Sequence, residues 1–309
     1  MFTVAVRLFI YVETSLHPGT GRGLGGVDLP IQRETVTNYP MVQASSLKGR
    51  LRAVMALKNG WDDPSPEIAA LFGRAEAGEE SGGSFAGAIS PGDARLVLFP
   101  VRSLRGVFAW TTSRAVLERF RRDLALTGVP PQWRLPEAPA NDAVLVGPAC
   151  GVCAEQNVVL EEFTYLADYG QAELVEAIAG WLGNCAFPPL PEYDPFRERL
   201  PRHLVILPDD SFRDFVTYST EVVTRVRLAP STKTVHPGAL WTEEYLPAES
   251  LLYSPVLLRD SASPDRRFSA STVLGVVKQL DGTRTWLGGD ETTGRGGVCF
   301  RVAEGEVGA

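Results

Sequence analysis

Three things are scarce in this chain: cysteine, long apolar runs and a surplus of positive charge. Four cysteines (150, 153, 185 and 299) in 309 residues are too few for a disulfide framework. Cys150 and Cys153 form a single CxxC with no second pair and no histidine nearby, so a tetrahedral zinc site cannot be completed locally. Reduced thiols in or near the core are expected, with Cys185 and Cys299 structural. No apolar stretch is long enough to span a bilayer, and the first residues lack the basic-then-apolar pattern of a leader. A cytoplasmic protein with no membrane partner is expected. Thirty Lys and Arg face 37 Asp and Glu, a net charge of −7. That excludes the broad basic footprint usual in nucleic-acid binders and leaves only local clusters for such a role. A Walker A loop is missing as well, because neither glycine loop contains GKS or GKT. Gly21, Gly23 and Gly26 formally satisfy GxGxxG, but that loop runs into VDLPIQRE, where Pro30 opposes an immediate helix; dinucleotide binding is excluded.

What is present is ordinary for a globular protein, with 44% apolar and 22% charged residues. The length allows one large core or two modest ones. Residues 3–11 read as a core strand. Leu47, Leu51, Val54 and Met55 recur at i, i+4, i+7 and i+8, which predicts a helix opening on Ser45 or Ser46. Residues 58–94 are rich in Gly, Pro, Glu and Ser and read as an insertion or mobile loop. A strand over 95–101 precedes a helix from about Thr112, with Val116, Leu117, Phe120 and Leu124 inward. A Pro-rich connection covers 127–142. Strands are predicted at 158–163 and 203–207, around a helix carrying Leu174, Ile178, Trp181 and Leu182. Residues 218–246 alternate and read as a long two-stranded hairpin with a wide loop. A strand over 251–257 and a helix with Val273, Val276, Val277 and Leu280 follow. The loop GGDETTGRGG then enters a strand over 298–302. The alternation suits an α+β fold: a ferredoxin-like, RRM-type core (βαββαβ) with long insertions, in a single domain over 1–309.

The most informative stretch lies between His17 and Arg52. The first strand enters a loop with glycines at 19, 21, 23, 25 and 26, and Asp28 follows at once. Glycines let backbone amides approach a phosphate, and a helix N-terminus with Lys48, Arg50 and Arg52 nearby suits an anion. A lone carboxylate beside such a cradle stands where it could act on a phosphodiester. Asp28 is also a good turn former, and geometry alone weighs the two readings evenly. His17 is either structural or a general base or phosphate contact. Glu243, Glu244 and Tyr245 close the long hairpin, where such residues are most often solvated. A second carboxylate near Asp28 would help hold a divalent metal. Basic clusters lie at Lys48/Arg50/Arg52, Arg114/Arg119/Arg121/Arg122 and Arg225/Arg227/Lys233; each alone is more often a solvated face than a site.

Taken together, LHPGTGRGLGGVDLPIQRE, YPMVQASSLKGRLR, TEVVTRVRL with TKTV, GALWTEEYLP and GGDETTGRGG resemble the backbone subunit of type III-B (Cmr-type) CRISPR effector complexes, within the RAMP superfamily. The segments occur in the family's order over nearly the whole chain. The resemblance implies an RRM-like palm with a protruding β-hairpin thumb over about 218–246. It implies copies stacked in a filament along a CRISPR guide RNA, with complementary target RNA and other subunits of the complex as partners. In that family an aspartate in the loop after the first strand cuts target RNA at regular intervals with a divalent metal. Asp28 matches it, as catalytic residue and as ligand for Mg or Mn. His17, Glu243 and Tyr245 match further positions of that site. Gly21, Gly23, Gly25, Gly26, Ser45, Ser46, Lys48, Arg50, Arg225, Arg227, Gly294, Arg295 and Gly296 fall where RNA would be gripped. The expected function is an RNA-guided target-RNA endoribonuclease that also builds the filament. The alternative is a non-catalytic guide-binding scaffold of the same complex.

Overall fold

The computed structural model describes residues 2–23, 25–74, 84–128, 131, 133–228 and 235–304. The first third contains β1 (Val4–Val12), β2 (Met41–Val42), α1 (Ala44–Asn59), α2 (Pro66–Phe72), β3 (Gly73–Arg74), β4 (Phe85–Ala86), β5 (Ile89–Pro91) and β6 (Ala94–Arg102). The middle third contains β7 (Phe108–Ser113), α3 (Arg114–Ala125), β8 (Ala143–Val146), β9 (Cys153–Ala154), β10 (Asn157–Leu160), β11 (Phe163–Asp168), α4 (Ala172–Cys185), α5 (Asp194–His203), β12 (Leu204–Leu207) and α6 (Asp209–Tyr218). The last third contains β13 (Glu221–Leu228), β14 (Val235–Tyr245), β15 (Leu251–Leu258), α7 (Ala270–Lys278), β16 (Arg284–Trp286) and β17 (Gly297–Glu304).

A single mixed sheet organises the molecule, in the order β16-β17-β1-β15-β6-β7-β12-β8-β11-β10-β9. β1 sits between β15 and β17, antiparallel to both. Its side chains alternate between two apolar layers, as the strand period requires. Val6, Leu8, Ile10 and Val12 join Leu47 and Leu51 of α1 and Val273 and Val277 of α7. Phe9 and Tyr11 join Phe120 of α3 and Ile178 and Leu182 of α4. Each such fully buried side chain contributes roughly 1.5–3 kcal/mol. β13 and β14 form a separate two-stranded sheet, with Glu221 opposite Tyr245 and Val223 opposite Glu243. Its tip, residues 229–234 including Lys233, lies outside the described residues.

Several sequence readings need correction. The helix expected from Ser45 or Ser46 begins one residue earlier, at Ala44, whose amide is taken by the Asp93 carboxylate at 2.8 Å. Residues 75–83 of the 58–94 segment lie outside the described residues, and the described remainder carries built structure: α2 is capped by Ser65 and buries Ile68, Ala69, Ala70, Leu71 and Phe72. The expected strand over 158–163 is two strands, because Glu161 turns the chain with φ 51° and β10 pairs back on β11. The strand read over 203–207 starts at Leu204, since His203 still belongs to α5. Cys150 and Cys153 are joined as a disulfide rather than reduced, their Cα atoms only 5.7 Å apart across the CxxC turn. Cys185 and Cys299 are free. No helix among the described residues is long and apolar enough to cross a membrane.

Candidate active site

The site forms where the glycine loop after β1, the base of the β13–β14 hairpin and the loop before β17 meet. His17 pairs with Gly289 across an isolated bridge, and Leu16 pairs with Leu246 at the foot of β14. The Gly289 amide donates to the His17 carbonyl at 2.9 Å. The His17 Nδ1 lies 2.7 Å from the Glu244 carbonyl oxygen. A carbonyl can only accept, so Nδ1 carries the proton and Nε2 lies on the side of Gly19. A Cβ on Gly19 would stand 2.7 Å from that Nε2. Glycine at 19 therefore leaves it room, a role the sequence reading missed.

Asp28 is exposed. Its Oδ2 accepts from the Thr242 amide at 2.7 Å and the Thr242 hydroxyl at 2.9 Å, while the Asp28 amide donates back to that hydroxyl at 3.0 Å. The backbone continues the pairing, with Leu29 N to Thr242 O and Glu244 N to Leu29 O, both 3.0 Å. The amide and hydroxyl of Thr242, with the nearby Arg22 charge, hold the Asp28 carboxyl below its ordinary range. It is ionised at neutral pH.

Glu243 and Tyr245 lie on the opposite face of β14 from Thr242, by strand alternation. Both are buried, not solvated as the hairpin-closing reading had them; so is Glu244. Glu243 accepts from Arg225 at 2.9 Å, from the Trp241 indole at 2.6 Å and from the Tyr245 hydroxyl. Burial alone would raise its pKa, but these bonds hold it below the usual glutamate range. The Tyr245 hydroxyl also meets Arg225 at 2.9 Å and Asp290 at 3.0 Å. Burial and the Glu243 bond push its pKa up. The His17 ring lies 5.4 Å from the Tyr245 ring, and the Arg295 guanidinium 4.6 Å above it. Arg295 is anchored by Glu221 at 2.9 Å. Arg225 and Arg295, read as RNA contacts, thus have their guanidiniums engaged within the protein, whereas Arg227 is exposed. Glu244 is tied to Arg33 at 2.5 Å and to the Thr220 hydroxyl at 2.8 Å.

The basic helix divides. Ser45, Ser46 and Arg50 of α1 line a cavity of about 540 Å³ with Pro18, Gly19, Gly288 and Gly289. Arg50 reaches Glu291 of the terminal glycine loop at 3.1 Å. Lys48 instead opens on a second cavity of about 550 Å³, beside Arg52, Arg74 and Arg259. Burial, Arg52 and Arg259 lower its pKa. Besides Gly19, two positions in the first glycine loop demand glycine: Gly21 has φ +91°, and a Cβ on Gly23 would meet the Val27 carbonyl at 2.8 Å. Gly25 and Gly26 face open space. Gly296, with φ +78°, passes so close to Leu287 that a Cβ would lie 2.1 Å from its carbonyl oxygen; Gly294, also at positive φ, faces open space.

The structure therefore unites His17, Glu243, Tyr245 and Arg225 with Asp290 and Arg295, and sets Asp28 apart on the other face of the same strand. Among the described residues no group of three His, Cys, Asp or Glu stands close enough to hold a metal. Glu243 and Glu244, the carboxylates expected to assist Asp28, are occupied by arginines.

The RAMP superfamily model matches residues 9–299. The CRISPR system Cmr endoribonuclease Cmr4 of Pyrococcus furiosus is 40% identical over 300 residues, covering 96% of this chain and 94% of the relative. A crystal structure of oligomeric Cmr4 from Pyrococcus furiosus superposes with a TM-score of 0.73 at 31% identity, over 97% of this chain and 98% of that one. A chain of the type III-B Cmr-beta complex bound to cognate target RNA shares the fold, with a TM-score of 0.70 at 21% identity, over 97% of this chain and 98% of that one. With a family model spanning nearly its whole length and a relative at 40% identity, the chain belongs to the RAMP superfamily and, within it, to the Cmr4 family.

Proposed function

We propose that this chain is an RNA-guided endoribonuclease and the repeating backbone subunit of a type III-B CRISPR complex, cutting bound target RNA at regular intervals. One observation carries the reading: an ionised carboxylate, Asp28, stands exposed on a glycine loop and is pinned to the hairpin base. Its place in the sequence matches the aspartate expected of the family, and a relative at 40% identity is named an endoribonuclease. The four neighbouring strands β17, β1, β15 and β6, with α1 and α7 as crossovers, are read as a ferredoxin-like palm. The separate β13–β14 sheet is read as the thumb that divides the guide–target duplex. The guide lies along the cavity lined by Ser45, Ser46 and Arg50, held by backbone and charge rather than by base identity. Specificity comes from base pairing with the guide. Copies of the chain and other subunits complete the assembly inside the cytoplasm.

Cleavage begins with in-line attack of a 2′-hydroxyl on the adjacent phosphorus: the 2′-oxygen–phosphorus bond forms and the phosphorus–5′-oxygen bond breaks, leaving a cyclic phosphate and a 5′-hydroxyl. Asp28 accepts the 2′-hydroxyl proton, and would be the protein ligand of a divalent cation. His17 is the second proton carrier, giving a proton to the leaving 5′-oxygen. A divalent ion, Mg²⁺ or Mn²⁺, supplies charge neutralisation. Its ligands would be Asp28 and RNA phosphate oxygens, since the neighbouring carboxylates are taken by arginines. Glu243 and Tyr245 form the wall on which His17 rests. The test is incubation of complex reconstituted on a guide with labelled complementary RNA. A ladder of evenly spaced products that vanishes with Asp28→Asn supports the reading. Bound but uncut target with Asp28 intact leaves the chain a scaffold.

A further inference from the structure

Asp28 presents a problem that its neighbours solve. The carboxylate sits on a loop with glycine at 21, 23, 25 and 26, where a Cβ added to Gly25 or Gly26 would meet open space. Such a loop has little packing of its own to hold a side chain in one place. Yet a catalytic group must be held to within about half an ångström of its productive position. Among the described residues, the hydrogen bonds that reach the carboxylate from the rest of the chain come from one residue, Thr242 on β14.

We propose that Thr242 is the positioning residue of Asp28, a two-way latch between the cutting loop and the hairpin. The inference rests on the endoribonuclease reading of Asp28. The latch is a closed ring of bonds. The Asp28 amide donates to the Thr242 hydroxyl, and that hydroxyl donates to Asp28 Oδ2, which the Thr242 amide also addresses. One hydroxyl thus acts as acceptor and donor at once, which fixes its rotor and the carboxylate's. Both donors address Oδ2, so Oδ1 is the oxygen left to take a proton or a cation. The flanking bond from Leu29 N to Thr242 O keeps the two segments in register. Because Thr242 belongs to the hairpin, the carboxylate takes its position from the element read as the thumb, not from its own loop. The exposed Asp28 is in this way preorganised chiefly by hydrogen bonds, with the Arg22 charge as a smaller contribution.

Two substitutions test the latch in the reconstituted complex. Thr242→Val keeps the shape and the backbone amide but removes the hydroxyl. Thr242→Ser keeps the hydroxyl. Single-turnover cleavage at saturating complex is expected to fall about tenfold in the valine variant, the worth of one net hydrogen bond. Target affinity, measured separately on the uncut complex, stays within twofold. The serine variant recovers at least half the wild-type rate. A valine variant that cuts at the wild-type rate overturns the proposal. So does a loss that tracks weaker target binding, or one that serine fails to restore, because each marks a merely structural threonine. Asp28→Asn run alongside separates the two levels. If it cuts normally, the catalytic reading fails; if it is dead while Thr242→Val is normal, only the latch fails.

Discussion

The two faces of β14 carry residues one position apart that live under opposite physical conditions. On one face Glu243 and Tyr245 are buried and cross-linked to Arg225, Trp241, Asp290 and, through ring stacking, Arg295. On the other, Thr242 holds an exposed Asp28 by hydrogen bonds alone. The first arrangement is expensive to open, because removing one partner leaves a buried group unpaired. The second costs little to change structurally and leaves a charge free to act. Carboxylates that look equivalent in the sequence are thus divided into one that holds the site together and one that is available to work.

The sharpest way to break that comparison is to neutralise each carboxylate. Asp28→Asn is expected to lower target cleavage about 10²–10⁴-fold with unchanged guide assembly and unchanged thermal stability, read by product ladders and melting curves. Next in size comes the RNA path. Lys48→Glu with Arg50→Glu should weaken guide binding and make its log–log salt dependence shallower by about 1–2, measured by salt titration; an unchanged slope would mean that α1 is simply solvated. Glu243→Gln should act mainly on stability, by about 1–2 kcal/mol in denaturant unfolding, with cleavage in the assembled complex down less than tenfold. Its pH dependence sharpens the point. Glu243 is held ionised below its ordinary value of 4.5. The stability it adds is therefore complete above that pH and lost as pH falls below it, because the unfolded chain binds the proton first. The gap between wild type and Glu243→Gln should close on acidification. Smallest is the effect of Cys150→Ser with Cys153→Ser, which should leave cleavage within twofold; zinc bound through this pair would contradict the present account.

Much of the scaffold could be read from periodicity. β1, α1, α3, α4, α7 and the hairpin each carry a clear apolar stripe or alternation. Several of the elements that escaped give weak signals, although α6 and β8, with buried Phe212, Phe215 and Val216 and a buried AVLV run, were legible and were missed. α5 buries only Leu200 and His203 and contains Pro201, so it has no stripe to read. β7 buries Thr111, Thr112 and Ser113, polar residues that mimic a loop. α2 is seven residues inside a polar stretch. At the site, Asp28, His17, Glu243 and Tyr245 could be named from motif resemblance. Their division between two faces could not, because it depends on Asp28 meeting Thr242 across 214 positions. In the same way, nothing local announces that Arg295 meets Glu221, 74 positions away.

The placement of β1 between β15 and β17 has a consequence for how the protein is made. His17 is held by Gly289 and Glu244, and the strand before it pairs on both sides only with residues beyond 250. During synthesis the first strand emerges with neither neighbour available, and its apolar faces must wait for nearly the whole chain. The site closes last. A polypeptide that stops short of β17 would carry Asp28, His17, Glu243 and Tyr245 and still lack the strand that pairs with β1 along Val6–Val12.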